Sequence, residues 1–139
     1  MLSLHQIRFL QVARSMLNMF YRWGGDDPSG FDCSGVAVEC LKVCGLIPLH
    51  SDYSAEALWT KFIDKETPTP DAGCLAFWFD STGKAIHVAI CLDPTYCLTA
   101  DGGGSHVKTV EDAVKYNAFI KVRRIDHRKT KPQFVNPFT

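Results

Sequence analysis

The sequence predicts an α+β fold, with N-terminal helices packed on a small antiparallel sheet formed by the second half of the chain. Three observations predict it. Apolar residues recur at helical spacing over residues 3–19 and again after Asp32. From residue 74 onward, short runs rich in β-branched and aromatic residues alternate with Gly, Asp and Pro turns. Helices first and strands afterwards put the two kinds of element in separate layers. With 139 residues, 46% of them apolar, the chain suffices for one compact domain without metal or disulfide staples. The expected unit is a single domain over residues 1–139, with 126–139 a C-terminal tail.

The first helix sets Leu4, Ile7, Leu10, Ala13, Met16 and Leu17 on what approximates one face. The stretch YRWGGDDPSGF then supplies turn residues and breaks the pattern. Asp32 is a suitable N-cap for a second, central helix, whose expected buried stripe is Val36, Cys40, Val43 and Cys44; Gly45 and Pro48 end it. A shorter helix over 53–65 carries Trp59 and Phe62 and stops at TPTPDAG. Strands are expected at 74–79, 85–92, 95–100 and 118–125, separated by the turns DSTGK, DP and DGGGS.

Lys plus Arg equals Asp plus Glu at 15 each, so no net field draws a phosphate backbone, which argues against a nucleic-acid partner. The cluster KVRRIDHRKTK at 121–131 reads as a solvated strand end and tail. No segment reaches the apolar length that crosses a bilayer, so no membrane partner is expected. The first residues also lack the apolar core and cleavage site of a secretory signal. The six cysteines, at 33, 40, 44, 74, 91 and 97, form no CxxC pair and no Cys/His knuckle, so neither a metal nor another cofactor is expected. Cys40, Cys44 and Cys91 fall where a reduced cysteine packs as a small hydrophobe, which suits a chain made in the cytoplasm.

Cys33 differs from these. It opens the second helix, where the positive end of the macrodipole and unpaired backbone N–H groups favour thiolate, the reactive species. A nucleophilic cysteine needs an imidazole to exchange its proton. Of the five histidines, His5 belongs to an amphipathic helix, His50 and His106 to loops, and His127 to the charged tail. His87 lies in AIHVAICL, where alternation puts Ile86, Val88, Ile90 and Leu92 on one face and His87, Ala89 and Cys91 on the other. The small residues of that second face are expected to leave room for a helix terminus to approach His87.

Three blocks around this pair carry a resemblance. YRWGGDDPSGFDCSG is similar to a tyrosine, tryptophan and double-glycine lead into a Phe-Asp-Cys-Ser-Gly nucleophile motif. PDAGCLAFWF is similar to a strand usually written Pro-Gly-Asp-Leu with apolar residues after it, and HVAICL to a His-Val-Gly-Ile strand. On these blocks, in this order, the sequence resembles the NlpC-type family of cell-wall cysteine peptidases, bacterial and phage enzymes with a papain-like fold. The resemblance makes Cys33 the nucleophile and His87 its general base, and has Tyr21 line the site near the scissile carbonyl. It assigns Asp32 and Ser34 to the amino end of a stem peptide, alongside the N-cap role of Asp32.

Two positions depart from the family pattern. Cys74 stands where an aspartate follows the glycine, and reads as a structural substitution. Alignment of YCLTADGGG puts Thr99 where the family has a third polar residue, usually histidine, that orients the base. A hairpin with the three-residue loop Leu92 to Pro94 sets Cys91 opposite Thr95 and His87 opposite Thr99, with Asp101 on the same face; a two-residue turn sets Ala100 there instead. Asp101 competes with Thr99, because a carboxylate is the stronger partner for imidazolium. The DGGGS glycines lack the Lys-Ser/Thr and following helix of a phosphate site and read as a flexible loop at the cleft edge.

The function that the resemblance implies is a cysteine endopeptidase on peptidoglycan stem peptides, cutting between D-glutamate and a diamino acid. A papain-like amidase or acyltransferase on another amide or ester is an alternative. So is a weak or inactive binding module, such as a phage tail component. Without a signal, a wall enzyme needs delivery, by a phage or a secretion assembly.

Overall fold

A computed structural model of the chain describes residues 1–22 and 32–139 in full and the backbone of 26–27 and 30–31. Trp23, Gly24 and Gly25 of the first motif block lie outside the described residues. The elements run α1 (Leu4–Ser15), the short pair β1 (Asp26–Asp27) and β2 (Gly30–Phe31), α2 (Cys33–Val43), α3 (Ala55–Phe62), a 3-10 turn (Ile63–Lys65), β3 (Glu66–Thr67), β4 (Leu75–Phe79), β5 (Ala85–Cys91), β6 (Tyr96–Asp101), α4 (Val110–Lys115), β7 (Phe119–Arg124) and β8 (Gln133–Val135).

Local chemistry explains the helix boundaries. Ser3 and Gln6 close a capping box at α1, with Ser3 Oγ accepting from the Gln6 N–H at 3.1 Å and Gln6 Oε1 from the Ser3 N–H at 2.7 Å. The buried face of α1 is Phe9, Leu10 and Ala13, while Leu4 and Ile7 of the expected stripe are 62% and 41% exposed. A strict spacing of three drifts by about 60° per step on a helix of 3.6 residues per turn, so the two ends of that run cannot share a face. In α2 the buried residues include Val36, Cys40 and Leu41, but Val43 is 54% exposed and Cys44 is only partly covered. Helix α2 ends at Val43 in a Schellman arrangement: the Leu46 N–H donates to the Leu41 carbonyl, the Gly45 N–H to that of Lys42, and Gly45 takes φ +71°. The stripe therefore stops a turn short of its predicted end.

The six-stranded antiparallel sheet has the order β3-β8-β4-β5-β6-β7. Strands β4 to β7 form the meander that the run-and-turn pattern predicts. The C-terminal segment is a correction: residues 126–139 are not a tail, because β8 inserts between β3 and β4 and pairs Val135 with both Glu66 and Leu75. Val135 is fully buried, and Phe138 lays its ring edge-on to Phe9 at 5.3 Å. The basic cluster before it disguised a strand of three residues, and α4, six residues long, also left no periodic signal.

One face of the sheet, with Leu75, Phe77, Val88, Ile90, Leu98 and Ile120, packs on the helices through Phe9, Leu41 and Leu58. The other holds a smaller cluster of Cys74, Ala76, Trp78, Ala89, Cys91 and Cys97. Helix α2 thus lies against the Val88–Ile90 face, not the small-residue face that was expected to receive it. Trp78 pairs with His87 and Phe79 with Ala85, which leaves Ile86 as an extra, bulged residue immediately before His87. The Glu56 carboxylate at the first turn of α3 accepts from the Ala85 N–H at 2.5 Å, tying the start of β5 to the helical layer.

Replacing a fully buried valine leaves a cavity, whereas trimming a solvent-facing one does not. Val135→Ala should lower unfolding stability by roughly 2 kcal/mol in denaturant titration. Val43→Ala should change it by less than about 0.5 kcal/mol. Equal effects would remove Val135 from the core.

Candidate active site

At the end of the sheet where β5 begins, a cavity of about 580 Å3 is lined by Tyr21, Asp32, Cys33, Ser34, His87 and Asp101, with Lys84, Arg128 and the 102–104 glycines completing its wall. Cys33 enters from the helical layer and His87 from the opposite face of β5, so the two meet around the end of the strand. Their placement has local causes. Asp32 caps α2, its carboxylate accepting from the Gly35 N–H at 2.6 Å and from the Ser34 hydroxyl at 3.2 Å, and this makes Cys33 the first helical residue. Residues 18–21 run along the edge of β7, with the Tyr21 N–H donating to the Ala118 carbonyl, and so carry Tyr21 into the cavity. Gly103 lies flat on that ring: a methyl group there would come within 2.2 Å of it.

His87 is 7% exposed, and its Nε2 lies 2.8 Å from Oγ1 of Thr99, which is 1% exposed. Thr99 stands behind the imidazole rather than in the cavity wall. The hairpin register differs from the expected one. Cys91 pairs with Cys97 and Ile90 with Leu98, because the Asp93 carboxylate accepts from the Thr95 and Tyr96 N–H groups, both at 2.7 Å, and moves the loop to Asp93–Thr95. The two-residue slide preserves parity, so His87, Thr99 and Asp101 still share a face. Continued, this register sets Asp101 across from His87 and makes the Thr99 contact a diagonal one. The Asp101 carboxylate is nevertheless held by Arg123, at 2.5 Å.

Electrostatics correct a second expectation. Burial pushes the Cys33 thiol up to about 11, against the opposing pull of the Val88 and Ser34 N–H groups and of Arg128. Burial likewise drives His87 down to about 3, helped by the nearby Arg128 guanidinium and the His127 ring and opposed by Asp101. The resting pair is neutral thiol and neutral imidazole, not the thiolate that the helix start was expected to provide. Desolvation outweighs the first-turn field. Tyr21 is held protonated, its phenol raised by burial and by the neighbouring Cys33 and Asp32.

Sequence reasoning missed several contributors. His127 is no solvated tail residue: its ring stands 6.5 Å from that of His87 and 5.5 Å from that of Trp78. Arg128 and Glu56 were missed as well, whereas the DGGGS glycines do stand at the cleft edge, as expected. What the glycine run did not reveal was the contact of Gly103 with Tyr21; no signal marked Arg128 or Glu56. Among the described residues, no group of His, Cys, Asp and Glu has the arrangement of a metal site.

The depressed His87 ties stability to pH. Below about 6.5 the unfolded imidazole takes up a proton that the folded one refuses, so stability falls on acidification through that window. Between pH 6.5 and 5 the protein should lose about 1.5 kcal/mol more than His87→Gln in urea titrations. Equal losses would mean that His87 is not held neutral.

Comparisons with known proteins bear on the family and the fold. The NlpC/P60 family model matches residues 18–124. Protein P54 of Enterococcus faecium is 39% identical over 89 residues, which are 63% of this chain but only 16% of that protein. Among solved structures, the P60 domain of a Mycobacterium avium subspecies paratuberculosis antigen superposes with a TM-score of 0.73 at 19% identity, covering 97% of this chain and 96% of that one. The NlpC/p60 domain of the peptidoglycan hydrolase SagA gives 0.64 at 24% identity, over 94% and 97%. The peptidoglycan hydrolase RipB of Mycobacterium tuberculosis gives 0.68 at 19% identity, over 94% and 63%. With the matched segment spanning most of the sequence, the nucleophile block and the histidine strand included, the chain belongs to the NlpC/P60 family.

Proposed function

We propose that the protein is a cysteine endopeptidase acting on peptidoglycan stem peptides, cutting the bond between D-glutamate and a diamino acid through a thioester. The observation that carries this reading is the convergence of Cys33, at the first turn of α2, and the Thr99-bound His87 on one cavity.

Nε2 of His87 is engaged with Thr99, which leaves Nδ1 for Cys33. As the substrate carbonyl settles at the start of α2, the Cys33 thiol gives its proton to Nδ1 and the sulfur attacks the carbonyl carbon. Charge builds on the carbonyl oxygen, which faces the backbone N–H of Cys33 at the helix start. The imidazolium passes its Nδ1 proton to the leaving amine, the C–N bond breaks, and the acyl group remains on sulfur. Water then attacks the thioester, giving one proton to His87, and the departing sulfur recovers it as thiol. Tyr21, flat against Gly103, walls the acyl side, while Asp32 and Ser34 accept the amino end of the stem peptide.

The neutral resting pair also supports a second reading, a wall-binding module whose thiol turns over slowly or not at all. The two differ in products. The purified protein should release stem-peptide fragments from cell wall, with masses that place the cut inside the peptide rather than at its sugar attachment, and Cys33→Ala should slow release by at least about a thousandfold. Because the single-proton state of the pair spans the interval between about 3 for His87 and about 11 for Cys33, kcat/KM should be flat from pH 5 to 9. Undiminished digestion by Cys33→Ala would overturn the endopeptidase reading. An acid limb near 6.5 would overturn the neutral pair.

A further inference from the structure

Three arginines follow one another closely at the end of the sheet, and two of them have carboxylate partners. Arg123 holds Asp101 at 2.5 Å and Arg124 holds Asp126 at 3.0 Å. Arg128 lines the cavity beside Cys33 and His87 and is paired with no carboxylate among the described residues. Its guanidinium lies 5.9 Å above the Trp78 ring, and among the described residues its N–H fork has no hydrogen-bond partner. Of the cavity's acids, Asp101 is taken by Arg123, and Asp32 is engaged in capping α2. Arg128 also lies past residue 124, where the family match ends.

We propose that Arg128 is a carboxylate anchor, selecting peptides that carry a free carboxylate beside the bond that is cut. The α-carboxylate of a γ-linked glutamyl residue is such a group. The inference rests on the endopeptidase reading for the identity of the peptide. A guanidinium fork meets a carboxylate through two parallel hydrogen bonds, and a carboxamide cannot match them. The same contact serves the chemistry. An unneutralised guanidinium near His87 opposes the imidazolium that the reaction forms, and a substrate carboxylate seated on it cancels that opposition. A substrate with the carboxylate would therefore both bind and react better than its amide. Lys84 also faces the cavity, but it is exposed and lacks a planar fork, and so serves as the control.

The test uses Cys33→Ala protein, which binds without turning over, and two synthetic peptides, L-alanyl-γ-D-glutamyl-L-lysine with the glutamyl α-carboxyl free or converted to the carboxamide. Calorimetry should give at least about tenfold tighter binding of the carboxylate peptide. Adding Arg128→Gln should reduce that preference to within about twofold and leave carboxamide binding unchanged, which shows that the cavity has kept its shape. Arg128→Lys should restore part of the preference, and Lys84→Gln should leave it intact. Binding without preference, no binding of either peptide, a preference that survives Arg128→Gln, or one that Lys84→Gln abolishes would each overturn the anchor. Cleavage by the intact protein decides the endopeptidase reading separately: if neither peptide is cut, that reading fails while the binding comparison still judges Arg128.

Discussion

A histidine that is 7% exposed has to place two ring nitrogens where almost no water can reach them. In this chain one of them meets a threonine hydroxyl at 2.8 Å, and the other is left to the cavity that holds Cys33. The choice of partner sets the character of the site. A carboxylate in that position would favour a charged ring; a hydroxyl orients the ring without supplying charge. Burial then decides the protonation state, and the pair rests neutral. Under the endopeptidase reading, charge separates only while a carbonyl is under attack, in a cavity whose dipoles are already aimed.

The scaffold is arranged to hold that one contact. The bulge at Ile86 re-aims the start of β5, Glu56 ties the Ala85 N–H to α3, and the Asp93 turn sets the register that carries Thr99 and Asp101 to the face of His87. Arg123 then withdraws Asp101, which would otherwise compete for the imidazole. From the other side of β5, the Asp32 cap fixes where α2 begins and therefore where the sulfur of Cys33 stands. Strand β8, from the very end of the chain, seals the sheet beside β4 and brings His127 and Arg128 over Trp78. Residues 126–139 thus supply Val135 to the core and Arg128 to the cavity wall.

Much of this was readable in the sequence, for a physical reason in each case. The Asp32 cap and the apolar run after it announced α2, and period-two alternation announced β4 to β7, because those signals are local. The meeting of Cys33 and His87 on one cavity was anticipated from the helix start and from the order of the three motif blocks. What could not be read depends on partners distant in sequence. Three residues of β8 carry no periodicity, and their burial follows from β3 and β4. The register of the β5–β6 hairpin turned on a single Asp93 side chain, and parity alone could not reveal the two-residue slide. The protonation state of Cys33 was misjudged because a helix terminus is visible in a sequence, whereas the desolvation that outweighs it appears only after packing.

Under the endopeptidase reading, Thr99 holds His87 as a neutral ring with its proton on Nε2 and Nδ1 free to accept from Cys33. Nitrogen-15 NMR of the His87 ring in the unliganded protein reads this directly, since the two nitrogens of a neutral imidazole differ in shift and an imidazolium equalises them. A neutral ring is expected from pH 7 down to about 5, protonated at Nε2, with Thr99→Val mixing the tautomers. An imidazolium at pH 7, or a proton resident on Nδ1, would contradict it.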